Sequence, residues 1–132
     1  MTRYLLDTNV VSYFLKQHPA VTERVLAKPM HALCISSITE GELLFGLAKR
    51  PDAPNLHRVV KEFLLCVDVL PWDRAAAAAY GVLRAALMQK GTPLGGLDML
   101  IAAHAIALKA VLVTNDQAFR HIHTLEIEDW TA

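Results

Sequence analysis

Cysteine is scarce in this 132-residue chain, which contains only Cys34 and Cys66. Both lie in apolar surroundings, so we predict two buried free thiols rather than a disulfide. Neither has a second ligand at zinc-site spacing, and His121 and His123 form the only close histidine pair. Because a zinc site needs about four ligands, the composition argues against zinc. His104, placed among alanines, is predicted to be a hydrogen-bonded core residue.

A long uninterrupted apolar run is missing as well. The longest apolar stretch, 99–108, contains a histidine and is too short to cross a bilayer. Near the N-terminus the apolar run stops at Asp7 after three residues, unlike the core of a secretory signal. We therefore expect a cytoplasmic protein without a membrane partner. With 54% hydrophobic residues and no low-complexity tract, residues 1–132 are expected to form one domain.

An excess of either charge is also absent. Thirteen Lys and Arg side chains balance thirteen Asp and Glu side chains, so the formal net charge at pH 7 is zero. If four of the acids are gathered in one cation site, nine acids remain against thirteen bases elsewhere. The composition therefore permits RNA or DNA binding without demonstrating it.

Strand-like and helix-like segments alternate along the chain. The segments between the apolar stretches carry apolar residues at helical spacing. The apolar stretches themselves are typical of strands and lie at 3–6, 31–37, 67–71, 111–114 and 125–127. The alternation predicts an α/β fold with a central parallel sheet of four to five strands and helices on both faces.

Two predicted strands end in similar polar stretches, DTN at 7–9 and TND at 114–116. Capping of a helix or formation of a turn would explain Asp7 or Asp116 taken alone. In open α/β sheets, however, ligands bind outside the carboxyl ends of the strands. The pair of strand ends therefore favours a functional site that includes both aspartates.

Two glutamates in the segment after the second strand compete for one role. Glu42 stands three residues after Thr39, and Glu40 stands three residues after Ser37. Both pairs have the spacing of a capping box, in which the glutamate reaches back to the start of a helix. Spacing alone does not decide which glutamate is structural and which is functional.

Asp98 lies on an apolar helix face. Its neighbours at helical spacing are Leu94, Gly95, Ile101 and Ala102. A favourable position at a helix N-terminus would account for an exposed acid, but an unpaired buried charge is costly. This position therefore indicates a cation or a basic partner. Gathered carboxylates repel one another, and hard oxygen ligands suit Mg²⁺ or Mn²⁺ rather than zinc.

Longer stretches of the sequence resemble a known family over nearly the whole chain. They occur in family order: LLDTNVVS (5–12), ISSITEGELLFGL (35–47), GTPLGGLDMLIAAHA (91–105), LVTNDQAF (112–119) and LEIEDW (125–130). This pattern resembles PIN-domain ribonucleases, and more closely the VapC toxins of type II toxin–antitoxin systems.

By position, the resemblance implies which residues form the site. The catalytic and metal-binding acids are then Asp7, Glu42, Asp98 and Asp116, so that Glu42 is favoured over Glu40. Polar residues that support such a site are matched by Thr8, Asn9 and Thr114. One position departs from the pattern, because Gly96 stands where many relatives carry proline.

The resemblance implies a function as well. We expect a Mg²⁺- or Mn²⁺-dependent endoribonuclease that hydrolyses an RNA phosphodiester, with tRNA and specifically initiator tRNA as a candidate substrate. It further implies a homodimer and inhibition by a VapB-type antitoxin. The alternative is a catalytically inactive PIN-fold RNA-binding or regulatory module. The presence of all four acids argues against that alternative.

Two surfaces are predicted for these partners. RNA phosphates are expected to contact Lys49, Arg50 and Lys90. The antitoxin is expected to cover apolar side chains at Val10, Val11, Tyr13, Phe14, Leu26 and Leu47.

Overall fold

The computed structural model describes residues 2–92 and 94–132. Pro93, which belongs to the predicted loop 91–96, lies outside these described residues. Within them, five short strands form one sheet in the order β3-β2-β1-β4-β5, and every neighbouring pair is parallel. The strands are β1 Tyr4–Leu6, β2 Leu33–Ser36, β3 Asp68–Leu70, β4 Val111–Val113 and β5 Ile127–Glu128. The predicted α/β class and parallel sheet are confirmed.

Helices connect the strands of this sheet. In the described part of the chain there are six α-helices: α1 Thr8–Leu15, α2 Pro19–Leu26, α3 Ser37–Ala48, α4 Pro54–Cys66, α5 Arg74–Lys90 and α6 Gly96–Leu108. None of the helices in these ranges is long and apolar enough to cross a bilayer. The predicted strand 31–37 is too long at its start, because Met30–Ala32 follow Pro29 as a short 3₁₀ helix.

Local chemistry explains several helix ends. Proline occupies the start of α2 and α4, where its fixed φ suits the helix and its missing N–H costs nothing. The Asp73 carboxylate accepts a hydrogen bond from the Ala76 N–H at 3.1 Å and caps α5, as its position in the sequence predicts. At the other end of α5, Gly91 adopts a φ of 65°, which terminates the helix.

The sheet is covered on both faces. Because successive strand residues point to opposite faces, Leu5 packs with residues of α5 and α6, whereas Leu6 packs with α1 to α4. The second face explains one wrong prediction. Val10 and Val11 are fully buried in this core and cannot form an exposed antitoxin surface, since α1 needs them to cover the sheet. Leu47 is also mostly buried, but it lines a groove between α1, α3 and α4. Leu26, in contrast, is exposed.

The cysteine prediction is half right. Cys34 is fully buried in β2, and burial raises the pKa of its thiol to about 11. Cys66, the last residue of α4, is exposed, so the prediction of a second buried thiol is wrong. The amphipathic α4 buries Val60 toward the sheet and leaves its final residue in solvent.

Strand order determines where a ligand can bind. The chain order reverses between β1 and β4, which lie side by side at the centre of the sheet. The crevice outside the carboxyl ends of strands at such a reversal is the usual binding position in α/β sheets. Asp7 directly follows β1, and Asp116 lies three residues beyond β4. Both aspartates therefore border this crevice.

Candidate active site

Asp7 is held by the ends of β1 and α1. It caps α1, because its Oδ1 accepts a hydrogen bond from the Val10 N–H at 2.8 Å. The Thr114 hydroxyl lies close enough to this carboxylate to lower its pKa. The residue is only 5% exposed. The pKa of Asp7 is raised to about 6, chiefly by burial and to a smaller extent by the charges of Asp98 and Asp116, while the hydrogen bonds oppose this rise. Asp7 therefore caps α1 and borders the crevice at the same time.

Asp116 is fixed by a similar capping contact. Its Oδ1 accepts a hydrogen bond from the Ala118 N–H at 2.9 Å at the start of the short 3₁₀ helix Gln117–His121. Its own N–H donates to Thr114 Oγ1 at 3.1 Å. The Thr114 side chain, which is 1% exposed, thus contacts both aspartates and joins the ends of β1 and β4.

Asp98 reaches the same edge from α6. It lies in the first turn of the helix, where backbone N–H groups favour a negative charge. Its pKa is nevertheless raised, chiefly by burial and then by the charges of Asp116 and Glu42. The apolar surroundings predicted from the sequence therefore act on this carboxyl group, and two further acids are close enough to repel it.

Gly96, which stands where many relatives carry proline, is the first residue of α6. Replacing it by proline therefore tests whether this difference matters. Gly95 has φ −57° and ψ 151°, a conformation that a following proline accepts, and no atom lies within 4 Å of a Cβ built at Gly96. We expect Gly96→Pro to raise the free energy of unfolding by about 0.4–1 kcal/mol, since it restricts the unfolded chain. Urea denaturation measures this change, and a lower midpoint would show that the N–H or the φ of Gly96 is needed.

Glu42 is the glutamate that reaches the site. On α3, its Oε1 accepts a hydrogen bond from the Thr8 hydroxyl at 2.6 Å. Neither predicted capping box forms, because α3 is capped by Ser36, whose Oγ accepts the Ile38 N–H at 3.1 Å. The side chain of Glu42 is therefore free of a capping role.

The remaining predicted supporting residues differ in their surroundings. Thr8 contacts Glu42 and Thr114 contacts Asp7. Asn9 is exposed on α1, and the described residues offer its side chain no hydrogen bond. Thr8 and Thr114 therefore lie next to the acids, whereas Asn9 points to solvent.

Sequence reasoning predicted His104 as a hydrogen-bonded core residue, but it missed the buried partners Ser36 and Thr39. Thr39 is fully buried, and its hydroxyl oxygen lies 3.1 Å from that of Thr8. His104 is 1% exposed, as expected for a core histidine, and its Nδ1 lies 2.8 Å from the Oγ of buried Ser36. Burial lowers the pKa of His104, which keeps the ring neutral. The only sequence signal was a polar residue inside an apolar run, and it does not identify a partner.

The donor set fits a hydrated divalent cation. The four acids and the hydroxyl groups of Thr8 and Thr114 supply oxygen donors at the crevice. Among the described residues, no Lys or Arg forms an ion pair with any of the four acids. Within the same residues, no three His, Cys, Asp or Glu side chains converge as a ready-made ligand set. Mg²⁺ is usually held by one or two carboxylates and keeps several waters. The open arrangement suits that mode of binding.

An apolar groove begins beside the acids. A cavity of about 390 Å³ lies between α1, α3 and α4. Thr8 and Glu42 line it together with apolar side chains such as Leu15, Leu56 and Val59. A ligand in this groove would contact the site and the helices at once.

The predicted RNA-binding residues lie on the surface. Lys49, Arg50 and Lys90 are all exposed, and the Lys49 ammonium group stacks 4.7 Å from the ring centroid of Phe45. Lys16, a base outside this predicted set, lines the same groove as Glu42.

Comparison with known proteins identifies the family. The sequence profile of the PIN domain matches residues 4–125, which include all four acids. The chain belongs to the PIN-domain family. This PIN domain is 35% identical to a protein of Shigella flexneri named tRNA(fMet)-specific endonuclease VapC, over 99% of this chain and 100% of the relative. It is 37% identical to the protein of the same name from Salmonella typhimurium, over 98% of this chain and 99% of the relative.

Solved structures agree with this family. The PIN domain superposes on a chain of DNA-bound VapBC from Salmonella typhimurium with a TM-score of 0.91 and 39% identity, covering 98% of this chain and 99% of the other. It superposes on a chain of VapBC2 from Rickettsia felis, bound to a promoter DNA fragment, with a TM-score of 0.89 and 33% identity at the same coverage. The parallel sheet and the surrounding helices are therefore those of VapC-type PIN domains.

Proposed function

We propose that the chain is a metal-dependent endoribonuclease, the VapC toxin of a toxin–antitoxin pair, with residues 1–132 acting as one PIN domain. The observation that carries this proposal is that four acids border the crevice at the carboxyl edge of the sheet and are coupled by charge, although no three of them converge as a closed ligand set in the described residues. Asp7, Asp98 and Asp116 are coupled by charge, and Glu42 is coupled to Asp98. The names of the VapC relatives supply the ribonuclease class.

The chemistry of the acids supports the proposed cofactor. Asp7, Glu42, Asp98 and Asp116 would hold Mg²⁺ or Mn²⁺, and Thr8 and Thr114 would orient two of these carboxylates. When bound, such an ion lowers the pKa of a water and stabilises charge on a phosphoryl group. Each capping bond uses one carboxylate oxygen, Oδ1 of Asp7 or Oδ1 of Asp116. Because this bond fixes the carboxylate to the backbone, the second oxygen of each group is held in a defined orientation.

We propose tRNA as the substrate, with initiator tRNA as the first candidate. Two relatives, each matched over nearly their full length, carry the name tRNA(fMet)-specific endonuclease. The proposed reaction is hydrolysis of one RNA phosphodiester bond, in a cytoplasmic protein. The crevice opens to the surface, so that an RNA strand can approach the acids.

Two protein partners follow from the same proposal. A VapB-type antitoxin is supported by the VapBC neighbours and by the apolar groove beside Glu42. A homodimer is supported by apolar side chains near the acids, with Phe45 62% exposed and Leu97 50% exposed. Light scattering of the purified chain, alone and with the antitoxin, measures both associations.

A cleavage assay on total bacterial tRNA tests the proposed activity. Discrete fragments should form with Mg²⁺ or Mn²⁺, and EDTA or Asp98→Asn should abolish them. Asp52→Asn is the matched control, because it makes the same change on an exposed loop and should retain activity. Absence of fragments from the folded, antitoxin-free protein would instead favour an inactive RNA-binding module.

The proposed RNA surface predicts a salt effect. Replacing Lys49, Arg50 or Lys90 by Ala should weaken RNA binding in EDTA and reduce the slope of log K against log salt by about 0.7–1 for each phosphate that is no longer neutralised. Lys109→Ala is the control, since Lys109 follows the opposite end of α6 from Asp98. Slopes equal to that of the unchanged protein, measured by fluorescence anisotropy, would reject these three residues as phosphate ligands.

A further inference from the structure

A chain of hydroxyl groups leads from the core to Glu42. The Thr8 oxygen lies 2.6 Å from Glu42 Oε1 and 3.1 Å from the Thr39 oxygen. Thr8 begins α1, whereas Thr39 and Glu42 stand three residues apart on α3. Thr39 is fully buried, but Thr8 and Glu42 are only half-buried. The three groups therefore connect the interior to the open crevice.

The number of hydroxyl protons determines which group donates in each of these two hydrogen bonds. Thr8 has one hydroxyl proton, and a carboxylate can only accept, so the 2.6 Å contact requires Thr8 to donate to Glu42. The same proton cannot also serve the 3.1 Å contact, so Thr39 must donate to Thr8. Within the described residues, Thr8 is also the one hydrogen-bond partner that the structure provides for the Thr39 hydroxyl. A buried hydroxyl without a partner is costly, which further favours this direction.

We propose that Thr39 is a positioning residue that acts through Thr8 on Glu42. Its hydroxyl occupies one lone pair of Thr8 and thereby directs the single Thr8 proton at the glutamate. Hydrogen bonds in such a chain polarise one another, and the bond that ends on a charged group is the strongest. The relay, defined as Thr39, Thr8 and Glu42, thus holds the Glu42 carboxylate in one orientation at the crevice. This inference rests on the proposed metal-dependent cleavage.

The position of Thr39 explains why a buried residue should act on the site. Thr39 has no exposed surface, so neither RNA nor the cation touches it. Its rotamer is fixed by core packing, whereas Glu42 on the helix surface would otherwise sample several orientations. Partners that orient metal ligands typically change affinity or activity by about 10–100-fold when removed.

Thr39→Val tests the relay, because valine keeps the shape and removes only the hydroxyl. We expect kcat for tRNA cleavage to fall about 10-fold with KM unchanged, and the Kd for Mn²⁺ alone to rise about 10-fold. Thr39→Ser restores the hydroxyl and should recover most of both losses. Unchanged kcat and Kd in Thr39→Val, or a Thr39→Ser variant as impaired as Thr39→Val, would overturn the proposal.

Thr22→Val is the matched control. The Thr22 hydroxyl on α2 is buried and, among the described residues, has no hydrogen-bond partner. The same chemical change there should leave kcat and the Mn²⁺ affinity unaltered. If Thr22→Val reduced both as strongly as Thr39→Val, the loss would reflect a general effect of removing a buried hydroxyl and would refute a specific relay.

A double-mutant cycle separates the relay from the proposed function. In metal-free protein, the urea midpoints of Thr39→Val, Glu42→Ala and the double variant are compared with that of the unchanged chain. The relay predicts that the two shifts are not additive, because Thr8 joins the two side chains by hydrogen bonds. Additive shifts would overturn the relay even in an active enzyme. If the unchanged chain neither cleaves RNA nor binds Mn²⁺ while the shifts remain non-additive, the proposed function fails and the relay stands.

Discussion

Replacing Asp7 by Asn should abolish cleavage and, at the same time, make the metal-free protein more resistant to urea. The loss of activity follows because Asp7 would be a cation ligand. Metal stabilisation of a phosphoryl transition state contributes several kcal/mol, and each 1.36 kcal/mol is about tenfold in rate. We therefore expect kcat/KM to fall by at least about 100-fold. Asn retains the cap of α1, because its side-chain oxygen can still accept the Val10 N–H.

The gain in stability follows from the raised pKa of Asp7. Burial raises this pKa to about 6 in the folded protein, while an unfolded Asp titrates near about 3.9. The folded state therefore binds more protons between about pH 4 and 6, and the contribution of Asp7 to stability falls as pH rises through this interval. Above about pH 6 the charged group costs the fold about 3 kcal/mol. Asp7→Asn removes this cost at pH 8 but gains little at pH 4.

Urea denaturation at pH 4 and pH 8, with EDTA present, measures this difference. Asp73→Asn is the matched control, since Asp73 also caps a helix but is exposed. Neither the stability nor the cleavage activity of the Asp73→Asn variant should change. An Asp7→Asn protein that is less stable than the unchanged chain at pH 8 would contradict the burial argument. Full cleavage activity in this variant would contradict the site.

Trp130→Ala should have the largest effect on stability. The side chain is fully buried against the sheet face that α1 to α4 cover. Its ring centroid lies 5.4 Å from that of Tyr4, and its Nε1 donates to Glu128 Oε1 at 2.9 Å. Removing such a side chain leaves a cavity and costs about 3–5 kcal/mol. This is a large part of the roughly 5–15 kcal/mol that is typical of a folded domain.

Trp130→Phe separates the packing from the hydrogen bond. Phenylalanine keeps much of the buried ring and loses the bond to Glu128, so we expect a cost of about 1–2 kcal/mol. Equilibrium urea unfolding at pH 7 measures both variants. If Trp130→Ala costs less than about 1 kcal/mol, the segment after β5 does not contribute to the core in solution.

Much of the fold could be predicted from local patterns. Short apolar stretches separated by segments with helical periodicity predicted the parallel α/β class, which the structure confirms. The boundaries were less accurate where local signals conflict, as at Met30–Ala32, which form a turn of helix inside an apolar stretch. Exposure was the weakest inference. Val10, Val11 and Leu47 belong to the core, although they were predicted to lie under the antitoxin. The prediction failed because an apolar residue gives the same sequence signal whether it packs on the sheet or binds a partner.

By itself, the sequence determined the order of the elements, the strand ends at which Asp7 and Asp116 lie, and the apolar helix start that holds Asp98. These features depend on residues close together along the chain, where backbone preferences and side-chain periodicity act. The family resemblance favoured Glu42 over Glu40, but only the tertiary structure decided that Glu42 bonds Thr8, that Thr39 lies behind Thr8, and that His104 bonds Ser36. The residues in these contacts are separated by 34, 31 and 68 positions. No local preference links residues so far apart, because the sheet and its two layers of helices must form before they can meet.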